Sequence, residues 1–245
     1  MAKSWWLAIL LTVPCFAVED TTLLLQQADT HYDFREQPDQ LEKAIEIYQQ
    51  VLELDPENYE TAWKLSKAYW YQGNYSAASD KKPYFQKGID AGRKAVENAP
   101  DQCQGYFWLG INLALYAESS GVFKALSMVD EVKATVHRAM ELDQNCECGG
   151  PQRVLGKLYS RLPFFKGGSK SKATGFLNQS LKLCPKDTQS RIFLAEIYTD
   201  EGQKGKAKQL LLQVLKQEPD PEWIPETRQN KIVAEKMLRE LQAVK

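Results

Sequence analysis

The sequence has little of what catalysis or metal binding would use. His31 and His137 are its two histidines; they lie in different parts of the chain, and neither has cysteines or carboxylates around it at metal-site or triad spacing. Charge of one sign is not in surplus either. Lys+Arg 31 against Asp+Glu 32 leaves a formal charge of -1, and without a long single-sign run this excludes the footprint of a nucleic-acid or anionic-membrane binder. Long hydrophobic runs are missing: the longest, from Trp5 to Val13, is well short of the roughly 20 residues a membrane span requires. The stretch GGSKSK from Gly167 lacks the Gly-x4-Gly-Lys-Ser/Thr spacing after a strand that a phosphate loop needs, and reads as a loop with Ser169 capping the next helix. These absences predict a protein that is not an enzyme and carries no cofactor and no metal.

What is present is helical periodicity, repeated. The 245 residues are 43% hydrophobic and 26% charged, enough to bury a substantial core. Between Thr188 and Pro219, Leu194, Ala195 and Tyr198 share one helical face, Gly202 marks a turn, and Ala207, Leu211 and Val214 form a second stripe. Small residues at 195 and 207 let two helices approach, and Pro219 turns the chain back. This is the grammar of the tetratricopeptide (TPR) repeat, a helical hairpin that buries its apolar stripe by stacking on another.

Four earlier stretches repeat it. The first has Leu25, Ala28 and Tyr32, then Ala44, Tyr48 and Val51, with Asp39 placed to cap the second helix and Pro56 closing the unit. The second uses Leu65, Ser66 and Tyr69, turns at Gly73, and delays its second helix by extra residues around Pro83; Gly88, Gly92 and Ala95 are the close-contact side. The third, with Tyr106, Leu109, Gly110 and Leu113, is also expanded, and Gly121 predicts an added short helix over Phe123 to Met128. The fourth carries Leu155, Gly156 and Tyr159, then Ala173, Leu177 and Ser180. Trp223 to Val244 reads as an amphipathic helix covering the last repeat. The expected fold is therefore an all-α, right-handed TPR solenoid: about five hairpins over 18–219, expanded in the second and third units, and a capping helix over 220–245.

Residues 1–17 read as a signal peptide, with Lys3 before the apolar run, Pro14 breaking it and a cleavage point after Ala17. Cys15 invites a lipoprotein reading, but lipid attachment normally follows a small residue and here Pro14 stands before it, so a soluble exported protein is expected.

Within the repeats, GYFWLGINLALYAESSGVFKALSMVDEVKATVHRAMELD and GGPQRVLGKLYSRLPFFKGGSKSKA resemble the TRAP-transporter-associated TPR family (TatT) in their expanded second helices and their LP, GGS and KA sequences, over roughly Ala62 to Pro185. The resemblance implies a bacterial periplasmic protein working beside the substrate-binding component of a TRAP importer for organic acids or hydrophobic molecules. A similar middle segment occurs in the regulator of microtubule dynamics proteins, so the motif speaks to architecture before partner.

Two side-chain sets follow. On the concave face, Trp63, Lys67, Trp70, Phe107 and Ile111, with Arg153, Lys157 and Arg161 beyond them, read as an aromatic floor with a cationic end, suited to an amphipathic anion or a peptide terminus. The competing reading, inter-repeat packing plus a solvated cationic face, is the commoner fate of such stripes. A partner in the groove is either a TRAP substrate-binding protein or, for a purely structural adaptor, another envelope protein or peptide; a homo-oligomer is compatible with both. The second set is Cys103, Cys146, Cys148 and Cys184, all where one hairpin hands over to the next. In an oxidising periplasm they suggest two disulfides, Cys103 to one of Cys146 and Cys148, and Cys184 to the other; a four-thiolate zinc site, which lacks paired C-x2-C spacing, and free buried thiols compete.

Overall fold

The computed structural model describes residues 15–75, 77 and 79–243. The expected leader lies outside them up to residue 14, and the first helix begins at Cys15. Eleven α-helices and two short 3-10 turns make up the described residues, and no strand occurs among them. They pair as successive antiparallel hairpins: α1 (Cys15–Asp33) with α2 (Gln40–Leu54), α3 (Tyr59–Tyr75) with α4 (Lys82–Asn98), and α5 (Cys103–Ser119) with α6 (Val122–Leu142). Then α7 (Gly150–Arg161) pairs with α8 (Lys170–Leu183), α9 (Thr188–Asp200) with α10 (Lys204–Lys216), and α11 (Ile224–Ala243) packs on that last pair. The fold is the TPR-type solenoid with a C-terminal helix.

Local chemistry sets the helix starts. The Asn58 side chain accepts from the Thr61 amide, Ser169 from Lys172, and Asp187 from Gln189 and Ser190, each satisfying amides that the first helical turn leaves open. The small residues of the repeat allow the close contacts. A side chain at Gly92 would come within 2.9 Å of the Leu109 backbone, so the absence of a Cβ there sets how near α4 lies to α5. One buried polar knot adds register between helices: Asn112 Nδ2 donates to the Ser66 carbonyl and hydroxyl and to the Trp108 carbonyl, while Ser66 donates to the Gly88 carbonyl.

Three expectations need correction. Gly73 is not a turn: α3 runs on to Tyr75, and Gly73 is buried where a Cβ would meet the Phe85 ring at 2.4 Å. No separate short helix covers Phe123 to Met128, because those residues are the first turns of the long α6; Gly121, at φ 91, makes the whole reversal from α5. Asp39 stands before α2 in a left-handed conformation (φ 62) instead of the extended backbone usual at a cap, and it makes no capping bond.

Both disulfides form, and the pairing is Cys103–Cys146 and Cys148–Cys184, with Cα separations of 6.1 and 5.3 Å, inside the range a disulfide spans. Together they tie α5, the α6–α7 loop and the end of α8 along one edge of the stack.

Candidate functional site

The chain's own C-terminal segment reaches back to the first three hairpins through a small set of side-chain contacts. Lys67, on α3, is buried, and its Nζ lies 2.6 Å from Glu222 Oε1, in the 3-10 turn Pro221–Trp223 that precedes α11. The same ammonium sits 4.5 Å over the Trp223 ring, 5.6 Å from Trp108 and 5.5 Å from Tyr32, a cation held among aromatic faces. Trp223 stacks on Trp108 at 6.4 Å and 19° between planes, and Trp108 leans on Trp70 at 5.3 Å.

One helical turn further on, Arg35 from the α1–α2 turn grips Glu226. Its Nη2 lies 2.8 Å from Oε2 and its Nε 3.2 Å from Oε1, while Nη2 also donates to the Glu222 carbonyl and Nη1 to the Tyr32 carbonyl. Both charged side chains are almost wholly withdrawn from water, and the guanidinium lies over Tyr32 and Tyr71. Burial pushes the Glu226 carboxyl up, with Arg35 pulling it back, and burial pushes the Tyr71 phenol up to about 12, with Glu226 adding and Arg35 opposing.

Glu147 completes the wall. Residues Glu147, Cys148 and Gly149 all have positive φ (46°, 55° and 69°), a backbone that two non-glycine residues adopt only under constraint, and disulfides leave from Cys146 and Cys148 on either side of Glu147. Its half-buried carboxyl is raised by burial and lowered by the charge of Lys67, with Glu222 opposing.

Of the residues expected in the groove, the structure brings together Lys67 and Trp70. Trp63 and Ile111 are half-buried against the central core, and Phe107 is fully buried beneath Gly150. The aromatic facing the groove is the next residue, Trp108: neighbours on a helix point about 100° apart, and the stripe alone did not say which faced in. The three cations of the fourth hairpin are paired with α9 and its cap, Arg153 with the capping Asp187 at 3.1 Å, Lys157 and Arg161 with Glu196 at 2.6 and 3.3 Å. Burial lowers the Lys157 ammonium, and Glu196 opposes that shift. Arg35, Glu147, Glu222, Trp223 and Glu226 escaped the sequence reading. One signal was available: a carboxylate between two cysteines followed by Gly-Gly. The histidines have packing roles, His31 bonded to Gln40 and His137 against Phe176. No group of three or more His, Cys, Asp or Glu that could hold a metal ion occurs among the described residues.

Large apolar side chains are also exposed at the turns of the third and fourth hairpins, Phe123 in one and Phe164 and Phe165 in the other, with Phe123 and Phe164 each 92% exposed. No helix among the described residues is long and apolar enough to cross a membrane.

A family model described as the TRAP transporter T-component matches residues 90–245, and one described as regulator of microtubule dynamics protein 1-3 matches residues 24–147. No curated protein matches the sequence. Among solved structures, a thermophilic TPR protein of Thermus thermophilus is similar at a TM-score of 0.67 and 18% identity, over 87% of this chain and 98% of that one. PilF of Pseudomonas aeruginosa is similar at 0.57 and 13% identity, over 94% and 95% of the two chains. PilW, a type IV pilus biogenesis factor, is similar at 0.57 and 17% identity, over 95% and 94%. At these identities the likeness is one of fold.

Proposed function

The chain belongs to the TRAP transporter T-component family, with the regulator of microtubule dynamics family overlapping it across the N-terminal half, and from this membership we propose that it is an exported, non-catalytic scaffold beside a TRAP-type importer of organic acids or hydrophobic molecules. In this reading it acts in the bacterial periplasm and binds a protein partner, the importer's substrate-binding protein, through its concave face. The family match over residues 90–245 is the observation that carries the proposal. Two disulfides joining successive hairpins fit an oxidising compartment.

A small amphipathic acid as direct ligand finds less support. The cations that would have received its carboxylate, Arg153, Lys157 and Arg161, already face Asp187 and Glu196. The alternative of a structural adaptor for an envelope protein or peptide draws on the peptide-like segment lying against Lys67 and Arg35.

The test is titration calorimetry of the purified chain against a TRAP substrate-binding protein of the same organism, with and without that protein's substrate. Saturable binding is expected. Absence of heat and of chemical cross-links at high micromolar concentrations of both proteins would end the transporter reading.

A further inference from the structure

The segment before α11 has the character of a ligand. QEPDPEWIPE, residues 217–226, contains three prolines and leaves the fifth hairpin at Lys216; its bonds to itself are local, Asp220 accepting from the Glu222 and Trp223 amides. Its contacts to the groove are those of recognition. A carboxylate (Glu222) meets Lys67, the adjacent indole (Trp223) stacks on Trp108, and a second carboxylate (Glu226) four residues on meets the guanidinium of Arg35. The second half of α11 is anchored separately, through Ala234, Val233, Met237 and Leu238 on the last hairpin, so the segment can lift while the cap stays seated once the exposed Arg228–Glu36 pair beside it also opens.

A clasp serving stability alone would be better made of apolar side chains, since a buried ion pair contributes little net stability once desolvation is counted. Here the groove offers two cations among aromatic faces, and the segment supplies the matching acids. The Lys67 side chain is only 7% exposed while that of Glu222 is 55% exposed, so a competing carboxylate reaches Lys67 only once Glu222 has swung out into solvent.

We propose that residues 220–226 are an internal ligand of the groove, and that the partner binds by displacing them with a segment of the same chemistry: a carboxylate, an aromatic directly after it, and a second carboxylate one helical turn later. This rests on the reading that a protein partner uses the concave face, and it names what that partner must present.

The test uses the full chain and a fluorescent peptide of the sequence QEPDPEWIPETRQ. In the full-length double variant Glu222→Gln with Trp223→Ala, the groove is unoccupied more of the time, and the peptide should bind at least about tenfold more tightly than to the unaltered chain, because apparent affinity scales with the fraction of open receptor. A peptide carrying the same two changes should not bind, and adding Lys67→Gln to the receptor should remove binding. A folded double variant that binds the peptide no better than the unaltered chain overturns the proposal, as does binding indifferent to Lys67→Gln. Should the double variant fail to fold, hydrogen exchange in the unaltered chain decides. Amides of 222–226 exchanging well before those of α9 support a lifting segment, and exchange only with global unfolding overturns it. The two readings separate cleanly. If the substrate-binding protein binds but excess peptide does not compete, the internal-ligand proposal fails alone; if the peptide binds and that protein does not, the transporter reading fails alone.

Discussion

Cations on the first helices of the hairpins, or in the turn just after one, find their carboxylates by two routes. In the fourth hairpin, Arg153, Lys157 and Arg161 take theirs from α9, the next first helix in the stack, and from Asp187 that caps it, 34 to 39 residues on. In the first two hairpins, Arg35 and Lys67 take theirs from the far end of the chain, Glu226 and Glu222, at sequence separations of 191 and 155 residues. Pairs of the first kind leave a solenoid a sum of neighbours. Pairs of the second kind close it: the last helix touches the first hairpin, and opening the groove means breaking a contact between the two ends.

The largest effect should come from the disulfides, which join the third hairpin to the fourth and so fix the neighbour-paired region. Cys103→Ser with Cys146→Ser, or Cys148→Ser with Cys184→Ser, should each lower stability by about 4 kcal/mol, from the chain entropy released by loops of 43 and 36 residues. Urea unfolding measures this, and thiol titration of the denatured, unreduced protein should find none of these four cysteines free. Arg35→Ala should come close behind, at about 3–5 kcal/mol, since it strands a buried carboxylate. Arg35→Met combined with Glu226→Leu should recover most of that loss; if the double change is as damaging as the single, the pair contributes more than its desolvation removes.

Alkaline pH sharpens the comparison from the groove side. Burial holds Tyr71, under Arg35, and Tyr59, bonded to Gln104, at about 12, against an ordinary value near 10. The unfolded chain therefore loses these protons first. Stability should be insensitive to them below pH 10 and fall as pH rises from 10 through 12, which melting curves combined with tyrosinate absorbance can follow. The smallest effect belongs to the neighbour-paired region: Arg161→Ala, on a side chain 65% exposed, should change stability by less than about 1 kcal/mol. A loss as large as that of Arg35→Ala would erase the distinction between the two routes.

The hairpins were legible because their signals are short-range. Ala195 against Ala207, Pro56 and Pro219 as exits, and Ser169 as a cap act within a turn or two of helix, and all sit where the repeat pattern puts them. Gly73 misled for the same reason: a glycine late in a helical stretch resembles a stop, and the Phe85 ring that explains it comes from the next helix. Phe107 and Trp108 differ by one residue in a stripe apolar on nearly every side, so periodicity could not choose between them.

By itself, then, the sequence determined the all-α repeat and the placement of four cysteines on one edge, because periodicity, capping and composition are local properties of the chain. The tertiary structure alone decided which cysteine joined which, since Cα separation is not written in spacing. It also decided what fills the groove. Solenoid curvature accumulates from small rotations at every hairpin, and only their sum brings Glu222 and Glu226 to Lys67 and Arg35.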